Sequence, residues 1–173
     1  YARDGIVGID ICGPDRKTFS MKEHAPLFAK ARKAGLGLTI HAGETGDLEE
    51  LRYVVREIRP ERIGHALAAV RDKKLMKEMA KQGVVVEMCP TSNLRNSVVK
   101  DIAQLCDITR AFLDAGIKVT INTDGPEMYC TSVLKEEEFL LAEGIMDEKE
   151  VRQCQRWAFA ASFVRPPAKR RIL

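Results

Sequence analysis

No apolar run in this sequence approaches the roughly 18 residues that a membrane-spanning helix requires. Nor do the first twenty residues pair a basic start with an apolar segment, the pattern that directs secretion. Cysteine occurs without pairing: Cys12, Cys89, Cys106, Cys130 and Cys154 form an odd set with no C-x-x-C among them. That sets aside a disulfide framework and a thiolate zinc site and leaves reduced packing residues. A cytoplasmic protein that does not engage a membrane is expected. Glycine-rich phosphate cradles are missing too, since GIDICG at residues 8–13 is not G-x-G-x-x-G and no P-loop occurs. There is no internal repeat and no low-complexity linker. The chain opens on Tyr1 rather than Met, so processing or truncation upstream is expected.

What is present reads as globular. Of 173 residues, 45% are hydrophobic and 31% charged, enough apolar material for one core, and a single domain over residues 1–173 is expected. The net charge of +3 is carried by the end of the chain, where Arg165, Lys169, Arg170 and Arg171 cluster around Pro166 and Pro167. A solvated basic terminus explains it, and no nucleic-acid partner is expected.

Five short apolar stretches, residues 5–11, 36–40, 62–64, 84–88 and 118–121, read as strands. They are continuous rather than alternating, as in a parallel sheet buried on both faces. Helical patterns lie between them. Asp47 precedes Leu48, Leu51, Val54, Val55 and Ile58 at helical spacing, and Pro60 stops the run. Asp72 opens another helix, with Leu75, Met76 and Met79 on one face and Gly83 just past its end. A third closes at residues 113–116. Ahead of the second strand, Ser20 and Glu23 fit a capping box, but Pro26 confines the regular helix to residues after Ala25. Two more helices, over residues 131–143 and 147–162, follow the last strand.

Strands alternating with crossover helices give a parallel α/β sheet. Polar residues follow every strand, which is where a TIM (β/α)8 barrel assembles an active site from several strands, and the phosphate fingerprint of an open doubly wound sheet is missing. The expected fold is the C-terminal part of such a barrel, about five strands of eight, with additional C-terminal helices.

After the strands come Asp10 and Gly13, then His41 and Glu44, then His65, then Ser92 and Asn93, then Asp124. Each has a structural explanation alone: Asp124 before Gly125-Pro126 suits a turn, and the Asn93 region suits a helix cap. Together they share one rim, and two of only three histidines with a Glu and an Asp point to a catalytic or metal site. His and Asp are ligands for zinc or iron. The small-residue step Ala42-Gly43 lets the chain turn, so that His41 can hold a metal while Glu44 moves protons.

VGIDICG, TIHAGE, ERIGHA, EMCPTSN, VTINTDGP and ASF occur in the order seen in the adenosine deaminase family, and over nearly the whole chain they resemble its C-terminal barrel strands. The resemblance implies a zinc-dependent hydrolase that turns adenosine into inosine and ammonia by means of a zinc-bound hydroxide. It implies that His41 and Asp124 hold Zn2+, that Glu44 donates a proton to ring N1, and that His65 orients and helps deprotonate the attacking water. Asp124 would also hydrogen-bond that water, and the Gly13 backbone would meet purine N3. The partner implied is a small-molecule purine nucleoside. The P-C-x-x-C thiolates of cytidine-type deaminases are absent, which leaves Cys89 to packing.

Two departures refine this expectation. The family takes two further zinc ligands from a His-x-His, and none occurs here; His24 in MKEHAP is alone and reads as surface or packing. Zinc retention by these residues is therefore expected to be poor, with activity depending on a segment outside them. NTDGP replaces the usual NTDDP, so Gly125 stands where a second aspartate would contact purine N7. Aminodeoxyfutalosine and other adenine derivatives become alternative substrates. The rival readings are a different metal-dependent hydrolase acting on an amide or ester, and an inactive fragment that associates with itself or with a missing N-terminal segment.

Overall fold

Apolar β-branched runs bounded by turn residues become five strands: β1 (Gly8–Ile11), β2 (Gly37–Ala42), β3 (Arg62–His65), β4 (Val85–Met88) and β5 (Lys118–Ile121). The structure is a computed structural model that describes residues 5–12 and 20–164. All neighbouring pairs are parallel, and the spatial order follows the chain from β1 to β5. An order with no reversal has no switch point of the doubly wound kind, so this sheet is an arc of a (β/α)8 barrel.

The register sorts side chains into rows. Ile11, Ile40, Ile63, Val86 and Val119 are aligned across the sheet on the helix face, and the last four of them are fully buried. Asp10, Thr39, Arg62, Val85 and Lys118 form a row on the opposite, inner face, and His41, Gly64, Glu87 and Thr120 form the next row towards the strand ends. The oily core thus lies under the helices while polar side chains line the inside of the arc.

The connections are α1 (Met21–Lys33), α2 (Leu48–Tyr53), a 3-10 turn (Leu67–Arg71) leading into α3 (Lys73–Gln82), then α4 (Pro90–Arg95) and α5 (Ile102–Asp114). After β5 come α6 (Pro126–Tyr129), α7 (Val133–Ala142) and α8 (Glu148–Ala161). The expected caps are in place: the Asp47 carboxylate accepts from Glu50 N at 2.8 Å, and Asp72 accepts from Lys74 N and Leu75 N at 3.0 Å each. Asp147 adds a capping box with Glu150. Arg110 clamps α8 to α5 through Glu150 at 2.7 and 3.0 Å. Among the described residues, no helix is long and apolar enough to cross a membrane.

Several boundaries differ from expectation. β1 begins at Gly8 rather than residue 5, and β2 runs on through His41 and Ala42, so His41 stands within the strand and not beyond it. α1 begins at Met21 and keeps Pro26 inside it. The missing proline N–H would have met the carbonyl of Lys22, an exposed residue, so water can satisfy that carbonyl. Ser20 makes no side-chain cap; its carbonyl contacts His24 Nδ1 at 2.9 Å. α2 continues as a π-helical turn over Val54–Ile58, which ends in left-handed Arg59 just before Pro60.

At the amino-terminal end of the arc, Phe163 lies across Gly8 and Gly37, where a Cβ on either glycine would overlap its ring. The Arg62 guanidinium stacks 4.0 Å above that ring and reaches Thr39 Oγ1 at 2.9 Å and Glu87 Oε1 at 2.8 Å. A ring, a cation and a carboxylate therefore fill the inside of the arc beneath the site.

Candidate active site

β2 delivers His41 to the inner face and then turns sharply. Gly43 has φ +70°, and a Cβ there would sit 2.8 Å from Leu51 Cδ2, so only glycine allows the turn. The turn brings Glu44 back over the same rim, with Oε2 3.7 Å from His65 Nε2. This agrees with the expected small-residue step.

β3 ends differently. His65 and Ala66 both have left-handed backbone, φ +61° and +54°, which is uncommon for non-glycine residues. Backbone bonds to Ala42 O (3.2 Å) and Gly64 O (2.8 Å) hold Ala66 N there. The chain leaves strand geometry at His65, and its ring comes to 5.2 Å from that of His41, centroid to centroid. Asp124, after β5, is also left-handed at φ +59°. Ligand atoms of His41, His65 and Asp124 all lie within 4.8 Å of one another.

Each of these groups has a partner. The His41 Nδ1 donates to Asp10 Oδ1 at 3.3 Å, and because a carboxylate only accepts, the proton is on Nδ1 and Nε2 is left for a ligand. Burial works against a charged His41, but the Asp10 hydrogen bond and the carboxylates of Asp10, Glu87 and Asp124 outweigh it, so its pKa is raised. Burial likewise pushes the Glu87 carboxyl up, although Arg62 opposes the shift. Ser92 Oγ donates to Asp124 Oδ2 at 2.6 Å, and buried Asn93 pairs with His65 Nδ1 at 2.8 Å. α4, which carries both, is held from outside by fully buried Glu136, which accepts from Thr91 N at 3.0 Å and Thr131 Oγ1 at 2.6 Å. Asn93 is thus a partner for a histidine and not the helix cap that its position allowed.

A cavity of about 330 Å³ opens between these strands, lined by Asp10, His41, Gly64, Glu87 and Asp124 among others. Cys89 also borders it. Burial pushes that thiol well above the usual range, in keeping with a packing residue and not a thiolate ligand. The donor set suits a divalent ion: two imidazoles whose Nδ1 atoms are both occupied by oxygen partners, and one carboxylate, gathered at one point. Gly13 lies outside the described residues. Gly125 flanks Asp124, and a Cβ there would lie 3.0 Å from Met128 Cε, 3.4 Å from Met128 Cβ and 3.6 Å from Tyr129 Cε2.

Reading the sequence alone missed the supporting set. Glu87 and Arg62 carried a signal, being charged residues inside short apolar strands. Gly64 carried none except its place before His65, yet His41 lies flat over it, with Cγ and Cδ2 each 2.9 Å from where a Cβ would be.

Relatives share this arrangement of sequence. An adenine deaminase from Sinorhizobium fredii is 36% identical over 168 residues, 97% of this chain and 51% of the relative. An adenosine deaminase from Escherichia coli O81 is 33% identical over 170 residues, 98% and 50% respectively. In three dimensions, a zinc-bound amidohydrolase from B. ambifaria superposes with a TM-score of 0.84 at 21% identity, covering 96% of this chain and 46% of that one. The chain spans about half the length of the curated relatives it matches. The sequence profile named adenosine deaminase matches residues 1–173, the whole length, and the chain belongs to the adenosine deaminase family.

Proposed function

We propose that these residues form the acid–base and metal-holding part of a purine deaminase site, which replaces the 6-amino group of a 6-aminopurine nucleoside with oxygen and releases ammonia. The observation that carries this reading is the gathering of His41, His65 and Asp124 within 4.8 Å, with Glu44 beside His65. His41 and Asp124 would hold the Zn2+, which, when bound, makes water a nucleophile at neutral pH. Gly13, outside the described residues, is assigned to purine N3.

The chain's own groups then divide the proton transfers. Glu44 delivers a proton to ring N1, which drains electron density from C6 and opens that carbon to attack. His65, with Nε2 on the Glu44 side, takes a proton from the attacking water. Asp124, held by Ser92, accepts a hydrogen bond from the same water and aligns it. The new C6–O bond replaces the C6–N bond, and the amine leaves with a proton as ammonia. A carboxyl poised to protonate a ring favours this reading over amide or ester hydrolysis, which has no ring nitrogen to protonate.

Adenosine is the first substrate to test. Gly125 and the adenine deaminase relatives favour a second reading, in which adenine or a derivative such as aminodeoxyfutalosine is preferred. Ammonia release from each compound, measured with zinc supplied on a protein that carries these residues within a complete barrel, ranks them. Glu44→Gln is expected to lower turnover by at least about 100-fold, the usual weight of a positioned general acid. Gly125→Asp should move preference towards adenosine, since the tightest contact of its Cβ is the end of the Met128 side chain at 3.0 Å, with Met128 Cβ and Tyr129 Cε2 at ordinary distances of 3.4 and 3.6 Å. Ammonia from no member of the panel, or release indifferent to Glu44→Gln, would remove this reading.

A further inference from the structure

His65 is 1% exposed and Asn93 0%, so no solvent competes for the imidazole proton, and the partner at Nδ1 decides which ring nitrogen carries it. We propose that Asn93 is a positioning residue that fixes the tautomer of His65: its Oδ1 holds the proton on Nδ1, and Nε2 keeps a lone pair facing Glu44.

Three observations carry this. First, the contact is short and its acceptor is anchored. Asn93 Oδ1 accepts at 2.8 Å, while the Asn93 backbone donates to Cys89 O at 2.9 Å and accepts from Val98 N and Val99 N at 3.1 and 3.0 Å. The main chain that carries the amide is thus fixed on three sides. Second, among the described residues no competing hydrogen bond is seen at Nε2: Glu44 Oε2, at 3.7 Å, is beyond hydrogen-bond reach. Third, Asn93 Nδ2 is buried without a hydrogen-bond partner among the described residues. A buried donor left unpaired weakens a fold, so packing alone does not account for an asparagine here. His41 is held the same way, from Nδ1 by Asp10, so both imidazoles of the site are presented through Nε2.

The inference rests on the reading of His65 as the group that takes a proton at Nε2. The ammonia assay tests that reading, whereas the tautomer is observed without turnover, so either can fail while the other stands. The experiment is a long-range 1H–15N correlation spectrum of the full metal-free chain, labelled in its imidazoles and recorded where they are neutral, with His65→Gln identifying the signals. The expected pattern is a protonated Nδ1 and an unprotonated Nε2. Asn93→Leu should lose that pattern in favour of the Nε2–H form or a mixture, and Asn93→Asp, whose side chain can accept at the same place, should restore it. A proton on Nε2 in the unsubstituted chain, or an Asn93→Leu spectrum unchanged from it, overturns the proposal. Should Asn93→Leu not fold, the unsubstituted spectrum decides alone, because Asn93 supplies the hydrogen-bond acceptor seen at Nδ1.

Discussion

Gly64 determines where the His41 ring can lie. Adding one methyl there puts a carbon 2.9 Å from Cγ and Cδ2 of the imidazole and 3.1 Å from Nε2, so the ring must tilt away and its 3.3 Å bond to Asp10 stretches. Gly64→Ala is expected to weaken divalent-metal binding by about 10- to 100-fold, the range seen when a ligand loses its orienting partner. Competition of Co2+ between the chain and a chelator measures this, and equal affinity in both proteins would show that ring placement is not set from below. The ligand residues themselves were legible in the sequence because titratable groups ending apolar runs have no place in a core. Asp10 and Asn93 were placed on the same rim, but which histidine each would hold was not legible: Asp10 on β1 and Asn93 on α4 lie 31 and 28 residues away from the histidines they touch. Only the folded arc, with β1 beside β2 and α4 set after β4, brings them together.

Helix starts show which features a sequence displays openly. Asp47, Asp72 and Asp147 each precede an apolar period, and each carboxylate caps its helix. Local rules decide such positions. They fail for α1, where packing of Met21 and Phe28 under the sheet keeps a helix running through Pro26, and for the π-helical turn after Tyr53, which leaves no residue signature. The Asp72 cap also gives a pH dependence. The backbone N–H of Leu75, then the Arg52 guanidinium, hold its carboxyl below the ordinary value of 3.8. The native state therefore binds fewer protons than the unfolded chain near that value, so the stabilisation is complete above it and disappears as pH falls through the lower folded value. Denaturant titrations from about pH 6 down to about pH 2, across the carboxylate range, should show stability falling on the acid side. Asp72→Asn keeps a capping oxygen but no charge, and should flatten part of that decline. An identical slope in both proteins would count against the assignment.

At the scale of the molecule, five strands in sequential order leave β1 and β5 each with one neighbour among the described residues. Unpaired strand edges and an uncovered inner face invite pairing. Purified as these 173 residues, the chain is expected to self-associate, eluting in light-scattering chromatography well above its 19.4 kDa. A monodisperse monomer with one sharp melting transition would refute this. The barrel arc was legible because its strands are short apolar runs spaced by one helix each. The filling of its inner face was not, since Phe163, distant in the chain, packs on Gly8 and Gly37 of the first two strands.

Phe163 has a role beyond filling space. By lying over Gly8 and Gly37 and under Arg62, it wedges the amino-terminal side of the arc from within. This end of the inner face is thus filled by a residue that belongs to no strand, and positions 8, 37 and 163 form one steric unit: enlarging either glycine requires a smaller ring, and neither change is independently neutral.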